Sequence, residues 1–219
     1  GIMGAGIAGL GFEKLVYGGL TKVFAGIVIA PIGGIIFGLL ITTLIITIFA
    51  TKRPGPVNKT FGRLQIISSA WFALTHGAND GQKTMGIIVL ILFSAGLVPD
   101  LEMPLWVIFA AATAMGLGTF FGGYKVIKTL GVKITKLKPY QGFAAETSGG
   151  LMLAVFAVFG IPASTTHAIT GTIMGSGAAR RKRAVRWKVS RQIVFSWIIT
   201  IPGAAGLGIG FTYLIHLFV

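Results

Sequence analysis

The chain has 219 residues, 54% of them hydrophobic and 11% charged, with 33 glycines, no cysteine and a mean hydropathy of +0.86. Apolar side chains at that density suit lipid better than water, so a soluble domain is excluded and a polytopic membrane protein is expected. The formal charge of +14 does not point to nucleic acid, because the basic residues are confined to short connectors instead of lining an amphipathic face, and without cysteine neither a disulfide framework nor a thiolate metal site is available.

The first apolar stretch, residues 2 to 12, is too short for a full span. It opens at Gly1 with no charged n-region and no cleavage site, and so reads as a cut end. Further spans are predicted at about 20–50, 61–96, 104–124, 141–160, 162–179 and 192–217, since a crossing helix needs about 20 apolar residues. Between them, 51–63 carries Lys52, Arg53, Lys59 and Arg63, 125–138 carries five lysines, and RRKRAVRWKVSR at 180–191 carries seven basic residues. These three connectors are expected in the cytoplasm, and LVPDLEMP at 97–104, with Asp100 and Glu102 and no basic residue, on the opposite side.

The segment 61–96 is 36 residues long, about 54 Å as one straight helix at 1.5 Å per residue. Two complete spans there would put the lysine-rich connector outside. A single crossing is therefore predicted, with a break or re-entrant piece near GAND, residues 77 to 80, where Gly77 and Gly81 allow a turn. Irregular backbone at membrane depth survives where protein or a water-filled cavity shelters it, so an internal cavity is expected there.

IMGAGIA at 2–8 recurs as IMGSGAA at 173–179, and at the same offset of 171 Val23, Phe24 and Pro31 recur as Val194, Phe195 and Pro202. Counting spans from the basic connectors makes the two copies inverted, as in secondary transporters whose site lies between halves; glycine-rich helices matching by chance are the other explanation. The expected organisation is 1–50 as the end of a first repeat plus a connecting span, 51–60 as a cytoplasmic linker and 61–219 as a second repeat.

Of the five acids, Asp80 and Glu146 fall inside predicted spans. A carboxylate at that depth costs about 3 kcal/mol or more unless satisfied, which makes each a functional candidate, although Glu146 lies closer to a membrane edge. On a helix, Asp80, Lys83 and Thr84 share a face, and so do Asn79 and Lys83. Lys83 therefore either neutralises Asp80 or helps to hold an anion. In GIPASTTHAITGTIMG, 160–175, a proline followed by Ser164, Thr165 and Thr166 is helix-start chemistry. Free backbone N–H groups, the positive end of the peptide dipole and the hydroxyls suit an oxyanion. A hydrolase built on Ser164, His167 and Asp80 is disfavoured, because no G-x-S-x-G elbow surrounds Ser164 and a Ser and His on one turn rarely meet. His76 and His167 lack H-x-x-x-H spacing for a metal, and His216 reads as interfacial.

GANDGQKTMGI, KPYQGFAAET and PASTTHAITGTIMGSGA together closely resemble the second half of the inorganic phosphate transporter (PiT) family. The resemblance implies an all-α, polytopic transmembrane helical bundle, part of an inverted-repeat transporter with broken or re-entrant helices, each repeat carrying one G-x-N-D and one P-x-S-x-T-H motif. It implies a symporter, not an enzyme, that moves inorganic phosphate with sodium or a proton; a sulfate or other oxyanion permease is the alternative. Asn79 and Asp80 match the first motif, Ser164, Thr165, Thr166 and His167 the second, and Glu146 an acid of the family. Phosphate is expected on Asn79, Lys83, Ser164, Thr165, Thr166 and the backbone around Gly77 to Gly81. The coupling cation is expected at Asp80, Asn79 and Glu146, with sodium at Asp80, and no other cofactor. The expected partners are phosphate, the coupling ion, membrane lipid and the N-terminal half of the transporter, with a homodimer as a further option and no nucleic acid, in the plasma (inner) membrane. Two features depart from the family pattern. Gln82 and Lys83 stand where many members carry a small residue and an asparagine, and one copy of each motif is present.

Overall fold

A computed structural model describes residues 1–218, with the side chain of Lys125, one of the five connector lysines, outside the described residues. Each expected span is helical: α1 is Ile2–Leu10, α2 Tyr17–Ile48, α3 Pro54–Ser94, α4 Leu105–Lys128, α5 Pro139–Val158, α6 Thr165–Arg180 and α7 Trp187–His216. Pro54 opens α3, so most of the expected 51–60 linker is helical. A π-helical turn, Thr129–Ile134, follows α4. Helices α2 and α7 and the part Leu105–Tyr124 of α4 are long and apolar enough to cross a membrane, and exposed residues such as Ile29, Ile36, Phe109, Phe120, Ile198 and Phe211 fit a lipid-facing surface. This is a multi-pass integral membrane protein.

The break expected at GAND does not exist. Helix α3 runs without interruption for 41 residues, about 60 Å at 1.5 Å per residue, and Gly77 and Gly81 keep negative φ; the described glycines with positive φ are Gly11, Gly96 and Gly160. A glycine inside a helix costs up to about 1 kcal/mol relative to alanine, too little to break a helix that packs along its length. The polar start PGPVNKTFGR of α3 accounts for about 15 Å of that length at 1.5 Å per residue. The broken element is instead the α5–α6 hairpin. Gly160 at φ +60 and Pro162 separate a helix of 20 residues from one of 16, because that dihedral suits glycine and proline cannot continue the ladder.

Two compact units divide the chain, one from Gly1–Phe24 with the chain from Trp187 onward, the other Ala25–Arg186. In the first, α1 packs on α7 through glycines; a Cβ on Gly4 would strike the backbone of Ala205, and one on Gly208 the backbone of Gly1. In the second, α5 packs along α3 and against α6, and α4 packs on α3. Helix α2 buries a stripe at every fourth residue, Gly26, Ala30, Gly34, Gly38 and Thr42, the spacing that brings small residues onto one face. That stripe meets α6 closely: a Cβ on Gly34 would lie 2.7 Å from the Ala168 carbonyl, and one on Gly175 would strike the carbonyl of Ile35. Gly4 and Gly175 are the same position of the sequence repeat, so the repeated segments cross their partner helices by the same small-residue packing.

The basic connectors gather at one end of the second unit. Ile45, Phe61 and Ala144 form a buried cluster joining the end of α2 to the starts of α3 and α5. Gln141 Nε2 donates to the Ser176 carbonyl at 2.8 Å, and Arg186 N–H to that of Ile134 at 2.8 Å. The parts of the three basic segments that belong to this unit, up to Arg186, thus share one end, as the positive-inside tendency favours.

Candidate functional site

The site forms where the middle of α3 meets the start of α6. Thr165, the first residue of α6 and 4% exposed, donates its hydroxyl to Asp80 Oδ2 at 2.7 Å. One helical turn before and after Asp80, His76 Nε2 lies 3.1 Å from Oδ2 and Lys83 Nζ 2.9 Å from Oδ1. The unbroken helix therefore makes the constellation, since spacings of three and four put these three side chains on one face. Lys83 Nζ also donates to the carbonyl of Ala163 at 2.7 Å. That second bond ties α3 to the hairpin break.

Ser164 caps α6, its Oγ accepting from the His167 backbone N–H at 3.3 Å. The amides of Thr165 and Thr166 fall in the first turn, where no helical carbonyl is available to them, and their end of the helix carries the positive pole of the peptide dipole. Thr166 is exposed and, with Thr165 and His76, lines a cavity of about 710 Å³ between α3, α4, the π-helical turn, α5 and α6. Asp80 itself borders a separate recess of about 490 Å³ toward α4. The His167 imidazole points elsewhere, to the backbone of Ile27 on α2. No Ser164–His167–Asp80 relay is assembled.

Asn79 turns its amide to its own backbone, Nδ2 donating to Thr75 O at 2.8 Å and, at 3.5 Å, to Leu153 O on α5. The N–H groups around Gly77 to Gly81 lie inside α3 and are committed to its ladder, so the expectation that this backbone binds phosphate is overturned with the break that motivated it. Glu146 lies two turns into α5, where Ser68 Oγ donates to Oε2 at 2.6 Å and Gln65 Nε2 to Oε1 at 3.4 Å. It lines the same large cavity as Thr165 and Thr166.

Sequence reasoning missed His76 as a partner of Asp80, although the i, i+4 spacing would have shown it. It missed Gln65, Ser68 and the Ala163 carbonyl for a different reason: each meets its partner across about 80 residues of chain, a separation that no local pattern encodes.

Sheltered carboxylates, a capped helix start at a broken hairpin and a cavity lie together within a multi-pass helical bundle, the kind of arrangement in which secondary transporters hold ions. The chain belongs to the PHO4 phosphate transporter family, which it matches over residues 1–208. It is 47% identical over 206 residues to a Rhizobium meliloti (strain 1021) protein named "Probable low-affinity inorganic phosphate transporter", with 94% of this chain and 62% of that one covered. A Bacillus subtilis (strain 168) protein of the same name is 40% identical over 208 residues, with the same 94% and 62% covered. The chain thus spans about three fifths of the length of these curated relatives. A solved structure titled "The sodium-dependent phosphate transporter" superposes with a TM-score of 0.84 at 23% identity, covering 100% of this chain and 72% of that one. At that identity the likeness establishes the fold.

Proposed function

We propose that the chain is the greater part of a secondary symporter that carries inorganic phosphate across the plasma (inner) membrane together with a cation, sodium or a proton. One observation carries the reading: the 2.7 Å hydrogen bond from Thr165 to Asp80 unites the two motif segments at a helix start that faces a cavity. Phosphate sits at the start of α6, on the hydroxyls of Ser164 and Thr166 and the free amides of that turn, with a remaining N–H of Lys83 toward it; the Thr165 hydroxyl, whose proton goes to Asp80, meets it as an acceptor for the proton of hydrogen phosphate. Asn79 steadies α3 against α5 from the side. Asp80, next to an anion, either shares a cation with it or accepts the proton that hydrogen phosphate carries and sulfate lacks. Glu146, held by Ser68 and Gln65 on the cavity wall, is the second carboxylate for coupling.

The full-length transporter in liposomes tests this. Phosphate uptake is expected to rise with an inward sodium or proton gradient and to resist competition by sulfate, and Lys83→Gln is expected to lower phosphate affinity. Equal competition by sulfate would make the protein a general oxyanion permease; uptake indifferent to both gradients would refute symport.

A further inference from the structure

The proposed site places an anion beside the Asp80 carboxylate, which is repulsive unless a cation stands between them. The cation on hand is Lys83. Its Nζ lies 2.9 Å from Asp80 Oδ1 and 2.7 Å from the Ala163 carbonyl oxygen. Ala163 is 2% exposed, and its carbonyl precedes the cap of α6, where no helical N–H reaches it: Ala168 N–H goes to Ser164 O and His167 N–H to Ser164 Oγ. A buried carbonyl without a helical partner needs a donor or a cation. Paired with a carboxylate oxygen converging on the same point, it forms part of the all-oxygen ligand set that suits a hard metal ion. Here a primary ammonium occupies that point, delivered by the same helix that supplies the carboxylate.

We propose that Lys83 is a tethered cation filling what would otherwise be an alkali-cation site formed by Asp80 and the Ala163 carbonyl, so that this part of the transporter receives its anion without binding sodium there. The proposal rests on the phosphate reading for the anion and on the contacts alone for the cation. A tethered charge does not dissociate, so it balances the anion on both sides of the membrane but draws no energy from a sodium gradient; any coupling ion binds elsewhere or arrives as the proton on phosphate. Shortening Lys83 to a neutral side chain leaves both oxygens facing one gap. Water reaches it, because the Lys83 side chain is 45% exposed, and sodium can enter by the same route.

The measurement is the number of sodium ions bound by the full-length transporter in detergent, without phosphate, using radioactive sodium. Lys83→Asn is expected to bind one sodium ion more than wild type, Lys83→Arg the same number as wild type, and Lys83→Asn combined with Asp80→Asn again the same number. Asp80→Asn alone, a change that keeps side-chain size, is expected to leave the wild-type number intact, because its carboxylate is already served by the ammonium. A folded Lys83→Asn protein with no added sodium overturns the proposal. So does loss of a sodium ion in Asp80→Asn, which shows the carboxylate holding sodium beside the lysine and can be read even if Lys83→Asn fails to fold. The phosphate reading is judged apart from these counts, by wild-type phosphate uptake.

Discussion

Replacing Thr165 with valine isolates the bond that joins α3 to α6. The two side chains are nearly equal in volume, and the site is 4% exposed, so the change deletes a donor without opening a cavity. A hydrogen bond to a charged group contributes about 1.5–3 kcal/mol. Asp80 keeps 32% of its side chain exposed and retains His76 and Lys83, so water and two remaining partners soften the loss toward the lower end, about 1.5–2 kcal/mol. At about 2–4 °C per kcal/mol for a chain of this size, the melting midpoint in detergent should fall by roughly 3–8 °C. Thr166→Val, at an exposed position whose hydroxyl makes no hydrogen bond among the described residues, should leave the midpoint near wild type. A double-mutant cycle with Asp80→Asn should return a coupling of roughly 1 kcal/mol or more. A Thr165→Val protein that melts with wild type, or a cycle with no coupling, would show that the two motifs are not joined through this hydroxyl and would remove the basis of the site.

Gly77→Ala tests the continuity of α3 inside GAND. A Cβ there meets nothing within 4 Å, so it should stabilise the protein by about 0.4–1 kcal/mol in thermal unfolding; a clear loss of stability would restore the broken helix. Gly175→Ala should do the opposite, because the added carbon strikes the Ile35 carbonyl and overpacking costs about 1–3 kcal/mol; a neutral result would mean that α2 and α6 do not cross there. Glu146→Gln should shift the midpoint by less than about 1 kcal/mol equivalent, since a weaker bond to Ser68 is offset by relief of the desolvated charge, while gradient-driven phosphate uptake in liposomes should collapse. Retained uptake would leave Glu146 a packing role.

How far the sequence reaches can be seen in particular residues. Hydropathy is a sum over neighbours, so the helical segments were legible, 61–96 as part of one continuous helix among them, and the start of α6 announced itself through Pro162 and the Ser164 cap. Gly4 and Gly175, which the offset match pairs, each face a helix backbone. The break was placed wrongly. Gly77 and Gly81 looked like a turn because a glycine in isolation permits one, whereas Gly160 beside Pro162 adopts one; permission is local, but the choice depends on what packs against the helix.

Asp80 and Glu146 were singled out as acids inside predicted spans, and Lys83 by its helical spacing from Asp80 and Asn79. Their contact partners came from the tertiary structure. Lys83 facing Asp80 follows from helical spacing, but its bond to the Ala163 carbonyl, the clasp of Glu146 by Gln65 and Ser68, and the hydroxyl of Thr165 on Asp80 each span about 80 residues. A one-dimensional pattern records which groups must find a partner in hydrocarbon, because the cost of an unsatisfied charge does not depend on the fold. Which partner each one finds depends on how the α5–α6 hairpin lies along α3, and that is decided by packing between distant segments.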